Sequence, residues 1–234
     1  MKKSEFTNGI KDGIPICLGY FSVSMAFGLT AVLSGFPVWA TILTSITNLT
    51  SAGQFAGVNI VLAGGKLIEL AITTLIINMR YFLMSLSVSQ KIDSSMKIWQ
   101  RSLISFGITD EIYAVSMRRE RTLTASYMAG LILTPVIGWT GGTAVGALAT
   151  SVMPAALSSA MGIALYGMFI AIIIPPTREE KSVLVAVLAA VAASVAFKFI
   201  PLLKNLSEGW TVIIITVAVS AFCASFFPLK EVQE

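Results

Sequence analysis

Long apolar stretches of about twenty residues, separated by short polar or glycine- and proline-bearing intervals, run along the chain. They are near-continuous rather than alternating, so they read as transmembrane helices and not as the strands of a barrel. The first covers residues 14–33, entered through Gly13 and Pro15 and left at Ser34-Gly35. The second covers 37–62, and the turn Gly64-Gly65-Lys66 leads into a third at 67–89. A polar loop at 90–101 precedes a short fourth segment, 102–117, and the basic loop Arg118-Arg119-Glu120-Arg121. The fifth, 124–148, should kink near Pro135, because proline removes an intrahelical hydrogen bond. Pro154 lies near the start of the sixth, which ends before Pro175-Pro176, and the last two cover 182–200 and 210–227. The fold class that follows is all-α. One polytopic integral membrane helical bundle, residues 1–234, is expected, with about seven or eight membrane segments.

The second segment departs from the pattern. Between residues 44 and 59 it carries Thr44, Ser45, Thr47, Asn48, Thr50, Ser51, Gln54 and Asn59, none of them charged, with apolar residues on both sides. Hydrocarbon offers no water to amides, hydroxyls or broken backbone, so such a stretch persists at membrane depth only under protein or a water-filled cavity. On one reading its hydroxyls bond back to their own helix and its amides join neighbouring helices. On the other, the helix is discontinuous near Ser51-Ala52-Gly53. The free amide hydrogens at the start of its second half, Ser51 and Gly53 among them, then suit a carboxylate. Carbonyls ending the first half, with Asn48 or Gln54, suit an ammonium. Uncharged polar groups beside a free helix end fit a small zwitterion.

Composition agrees with a membrane protein: 56% of residues are hydrophobic and only 12% charged, against about a quarter charged in soluble domains. Mean hydropathy is +0.84. The net charge of +4 does not point to nucleic acid, because the basic residues sit in short loops where they set topology. Whether segments 2 and 4 cross or re-enter, that distribution places both termini in the cytoplasm. Met1-Lys2-Lys3 before an apolar run resembles a signal peptide, but the run is too long and no small-residue cleavage site closes it, so a retained first span is expected.

The chain contains no histidine, which excludes a Ser-His dyad, histidine metal sites and a histidine proton relay. Cys17 and Cys223 lie in opposite terminal spans and form no ligand-spaced pair. An intramembrane aspartic protease needs two facing carboxylates, and Asp110 is the only aspartate within a segment. No catalytic residue, metal or cofactor is expected, and no enzymatic activity.

The third segment carries two polar faces. At 100° per residue Thr74, Asn78, Tyr81 and Ser85 share one, and Glu69, Thr73 and Arg80 another. Asn78 and Arg80 then point about 160° apart on a regular helix. Arg80 is too deep to reach the surface easily and should face protein or water. It serves either in transport or in a lock with Asp110 or Glu111. In the fourth segment Gly107 can break a helix, and Thr109 or Asp110 can cap the next one. Asp110 and Glu111 are either plain first-turn acids favoured by the helix dipole or proton-coupling groups. Gly138, Gly142 and Gly146 form a close-packing stripe.

These residues carry a resemblance. Gly13-Ile14-Pro15 with Phe27-Gly28, Ser51-Ala52-Gly53-Gln54-Phe55, Asn78-Met79-Arg80, Thr109-Asp110-Glu111-Ile112-Tyr113-Ala114 and Gly138-Trp139-Thr140-Gly141-Gly142-Thr143 occur in order. Together they resemble the AzlC family, the large subunit of bacterial branched-chain amino acid exporters. Ile137 stands where the family usually shows a small residue, and the last two spans match only in being apolar. The resemblance implies export of leucine, isoleucine and valine, with methionine a further candidate, driven by protons or the membrane potential. It also implies a small AzlD-type membrane subunit as partner and a bacterial cytoplasmic (inner) membrane location. The substrate-binding set expected is Asn48, Ser51, Gly53, Gln54, Asn78, Tyr81 and Arg80, with Arg80 weakened by its opposed face. The alternative is a channel or membrane scaffold subunit without its own substrate site.

Overall fold

A computed structural model describes residues 2–150, 170, 173–200 and 206–227. The described elements are helical: α1 (Lys2–Leu33), α2 (Val38–Thr47), α3 (Ala52–Leu62), α4 (Leu67–Ser89), α5 (Ile98–Phe106), α6 (Asp110–Arg118), α7 (Ala125–Ala149), α8 (Lys181–Phe199) and α9 (Glu208–Phe226). Among the described residues five helices are long and apolar enough to cross a membrane, within α1, α4, α7, α8 and α9. The expected sixth span lies outside the described residues.

Two boundaries differ from the sequence reading. α1 begins at Lys2 rather than near Ile14, with Pro15 inside it. Its polar first turns are held by tertiary partners, among them an ion pair of Glu5 with Arg119 at 2.6 Å. α5 starts at Ile98, inside the expected polar loop. The fourth segment is two helices, α5 and α6, parted at Gly107 and Thr109, where the sequence offers a break and a cap. A Cβ at Gly107 would stand 2.2 Å from the Ile132 side chain, so this corner requires glycine. Thr109 caps α6, its hydroxyl accepting from Ile112 N at 3.4 Å. α7 passes through Pro135 without interruption.

The frame is the α1–α7 pair. A Cβ at Gly138, Gly142 or Gly146 would lie 2.5, 2.2 or 2.0 Å from the backbone oxygens of Cys17, Phe21 and Met25. A Cβ at Gly28 would lie 2.2 Å from Thr143 O, and one at Gly9 would lie 2.1 Å from Tyr127 O. Residue numbers rise together along both helices, so the pair is parallel. The sequence stripe at 138, 142 and 146 is thus used within the chain.

The remaining helices pack around this pair. α2 lies against α7, α3 against α4, and α9 against α4. The loops before α5 and α7 are tied together by a single bridge, with Asp93 N donating to Leu123 O and Leu123 N to Lys91 O, each at 3.0 Å. Glu69, in the first turn of α4, is only 5% exposed. It accepts a hydrogen bond from the Ser207 hydroxyl, just before α9, and sits against Gly209.

Gly142→Ala should lower thermal stability in detergent by about 1–3 kcal/mol, because the helix backbones would have to separate. Gly141→Ala is the control, since among the described residues a Cβ there meets nothing within 4 Å. Equal stability of the two variants would contradict the packing described.

Candidate functional site

Residues 48–51 lie between α2 and α3 outside helical geometry. Asn48 folds this interval by accepting from Thr50 N at 3.1 Å. Ser51 takes φ 43° and ψ −89°, in a region where a side chain strains the backbone by about 1–3 kcal/mol. Gly53 lets the Asn78 amide lie close to the start of α3, since a Cβ there would be 3.0 Å from both Asn78 amide atoms and 2.5 Å from Thr50 Oγ1.

A buried polar chain supports the interval from behind. The Trp139 indole donates to Gln54 Oε1 at 2.9 Å, and Gln54 Nε2 donates to Ser45 Oγ at 2.9 Å. Ser45 Oγ lies 2.7 Å from Thr143 Oγ1. Gln54 is 1% exposed and its amide is engaged at both ends. Polar groups of the stretch at 44–59 thus join helices, and residues 48–51 lie outside α2 and α3.

In front lies a cavity of about 720 Å³, within the range of about 300–1,000 Å³ usual for small-molecule sites. α1 contributes Pro15, Ile16, Gly19, Tyr20 and Val23, one stripe of that helix. The interval contributes Leu49, Ser51 and Ala52, α4 contributes Arg80 and Tyr81, and the α6 start contributes Thr109, Asp110 and Glu111. Trp139 of α7 completes the lining.

Charge is concentrated on the α4–α6 side. Arg80 pairs with Asp110 at 3.0 Å, both side chains being about half exposed. The guanidinium also donates to the Tyr81 hydroxyl at 3.3 Å and sits 5.1 Å from that ring's centroid. Tyr20 donates to Glu111, and its hydroxyl lies 2.6 Å from Thr109 Oγ1. The Tyr20 and Trp139 rings meet edge to face at 5.3 Å. Polar contacts and ring packing thus run without a gap from Thr143, behind the interval, to Glu111 at the cavity.

Of the residues expected from sequence, the cavity gathers Ser51, Arg80, Tyr81, Asp110 and Glu111. Asn48, Gly53, Gln54 and Asn78 are not in its lining. They shape or brace the interval beside it. Arg80 is the correction: its opposed face on α4 had weakened it as a cavity residue. A helical wheel gives the direction of Cβ, whereas this side chain is long enough to bend across Tyr81 and reach Asp110. Tyr20, Gly19 and Trp139 were missed as lining residues. The spacing Pro15, Gly19, Val23 and Ile16, Tyr20 marks one helical face and could have raised them.

Residues 15–153 match the AzlC protein family. The inner membrane protein YgaZ of Escherichia coli K12 is 28% identical over 85% of this chain and 84% of its own length. An uncharacterized membrane protein of Archaeoglobus fulgidus is 29% identical over 74% of this chain and 77% of its own. An uncharacterized membrane protein of Helicobacter pylori is 27% identical over 47% of this chain and half of its own. No solved structure matches the chain.

Gln54→Ala would strand the Trp139 indole N–H away from water. It should destabilise the protein by about 1–3 kcal/mol, read as a lowered thermal midpoint in detergent. An unchanged midpoint would show that the polar chain is not needed for the fold.

Proposed function

The chain belongs to the AzlC family, and from that premise we propose that it is a secondary transporter subunit exporting branched-chain amino acids across the bacterial inner membrane. Leucine, isoleucine and valine are its substrates, with methionine a further one. The N-terminus is cytoplasmic, and a small AzlD-type membrane subunit is its partner. The observation that carries this reading is the cavity, with apolar walls at Pro15, Ile16, Val23 and Leu49 and charge at Arg80, Asp110 and Glu111.

An amino acid has the matching chemistry. Its carboxylate is suited by the Arg80 guanidinium and by the start of α3 at Ser51 and Ala52, where helix amides and dipole favour an anion. Its ammonium is suited by Asp110 and Glu111. The aliphatic side chain lies against the apolar wall. Arg80 and Asp110 neutralise each other as a pair, and a zwitterion matches that pair charge for charge. α2 and α3 act as one interrupted span, in keeping with the way transporters expose half-helix ends to substrate.

Proton coupling is assigned to Asp110 and Glu111, acids inside the bundle at the cavity. Protonation of either removes one charge facing the ammonium and weakens its hold, which couples release to the proton gradient.

The test is efflux of labelled leucine and valine from vesicles holding this chain with its small partner. Asp110→Asn and Arg80→Gln should each cut efflux by about tenfold or more. Glu111→Gln should retain part of the flux and lose its dependence on the pH gradient. Efflux unchanged in all three variants would refute the site, and saturation-free flux would mark a channel.

A further inference from the structure

Gly19 stands apart from the other glycines of α1. A Cβ at Gly9, Gly13 or Gly28 would stand 2.1, 2.9 or 2.2 Å from backbone oxygens of α7, so packing explains each of them. Among the described residues a Cβ at Gly19 would meet nothing within 4 Å. Gly19 is exposed, lines the cavity, and has no positive φ to require glycine. Glycine in a helix interior is destabilising relative to alanine. Packing, backbone conformation and helix propensity therefore give no reason for it, and what its missing side chain supplies is space in the cavity.

Trp139 lies at the same level. Gly138 packs on Cys17 and Gly142 on Phe21, which places residue 139 of α7 within one residue of the level of residue 19 of α1. The Trp139 ring is fixed from two sides, by the hydrogen bond to Gln54 and by the edge-to-face contact with Tyr20. The next apolar lining residue along this face of α1 is Val23, and the charged residues stand on α4 and α6.

We infer that Gly19 and Trp139 set the size of the substrate side chain, Gly19 as the space it enters and Trp139 as the wall that limits it, with Gln54 as the positioning residue that holds the wall. This rests on the transport reading above. It extends that reading from the charged head group, which all amino acids share, to the side chain that distinguishes them.

The experiment is counterflow of leucine, alanine and phenylalanine in vesicles holding the chain and its small partner, read as ratios between substrates. Gly19→Ala keeps the helix and narrows the space. Gly19→Leu fills it and should lower leucine relative to alanine by about tenfold, within the range that a few methylenes discriminate in an apolar pocket. Trp139→Phe should raise phenylalanine relative to leucine. Gln54→Met frees the indole and should shift the ratio in the same direction. A merely structural role would lower all three fluxes together and leave the ratios fixed.

Wild-type transport with ratios unmoved by Gly19→Leu and Trp139→Phe overturns the size assignment and leaves the transport reading intact. Absence of any amino acid flux in the wild type removes both.

Discussion

Backbone contact between α1 and α7 is the constraint on which the other placements rest. Apolar side chains gain little by meeting one another in hydrocarbon, so helix association there depends on close van der Waals approach. Glycine permits that approach, and this chain places it on both partners: Gly9, Gly13 and Gly28 on α1, and Gly130, Gly138, Gly142 and Gly146 on α7. The two helices are thereby locked in register over most of their length. That lock fixes where Tyr20 meets Trp139, and Trp139 in turn fixes Gln54. The polar interval between α2 and α3 is thus referenced, through two side chains, to the closely packed α1–α7 pair.

Such referencing is what makes a break in the helix tolerable. Asn48 supplies an acceptor to the chain just beyond it, and Gln54 is satisfied at both ends. The strain at Ser51 is held by its neighbours rather than relieved. One side of the interval faces protein and the other a cavity, the cover that non-helical backbone needs wherever water is scarce. The same cavity receives the α6 start, where a second interruption at Gly107 and Thr109 turns Asp110 and Glu111 toward it.

Sequence reached much of this because the signals were local. The polar run at 44–59, the Gly107 corner, the Thr109 cap and the glycine stripe each depend on chemistry within a turn or two. The Arg80–Asp110 pair was one of two readings of Arg80, and the geometry provides it. What stayed hidden depends on distant partners. The first turns of α1 look like a polar tail until Arg119 and α7 stand beside them. Which face of a helix turns toward a cavity cannot be read from its own residues alone: Gln54 bonds to Trp139 and Ser45, and Asn78 lies against Gly53, outside the cavity lining. Gly19 is silent in sequence because its setting shows only in three dimensions, where no described residue stands within 4 Å of the Cβ position.

The buried carboxylate of Glu69 bears on the order in which the protein is made. Its hydrogen-bond donor, Ser207, enters the chain well over a hundred residues later. Until α9 has been synthesised and laid against α4, the first turn of α4 presents a carboxylate that the finished protein covers. An acid facing lipid is unfavourable, so the nascent chain is incomplete in energy as well as in length. α9 closes this contact, since Ser207 and Gly209 are what stand against the Glu69 carboxylate from its end.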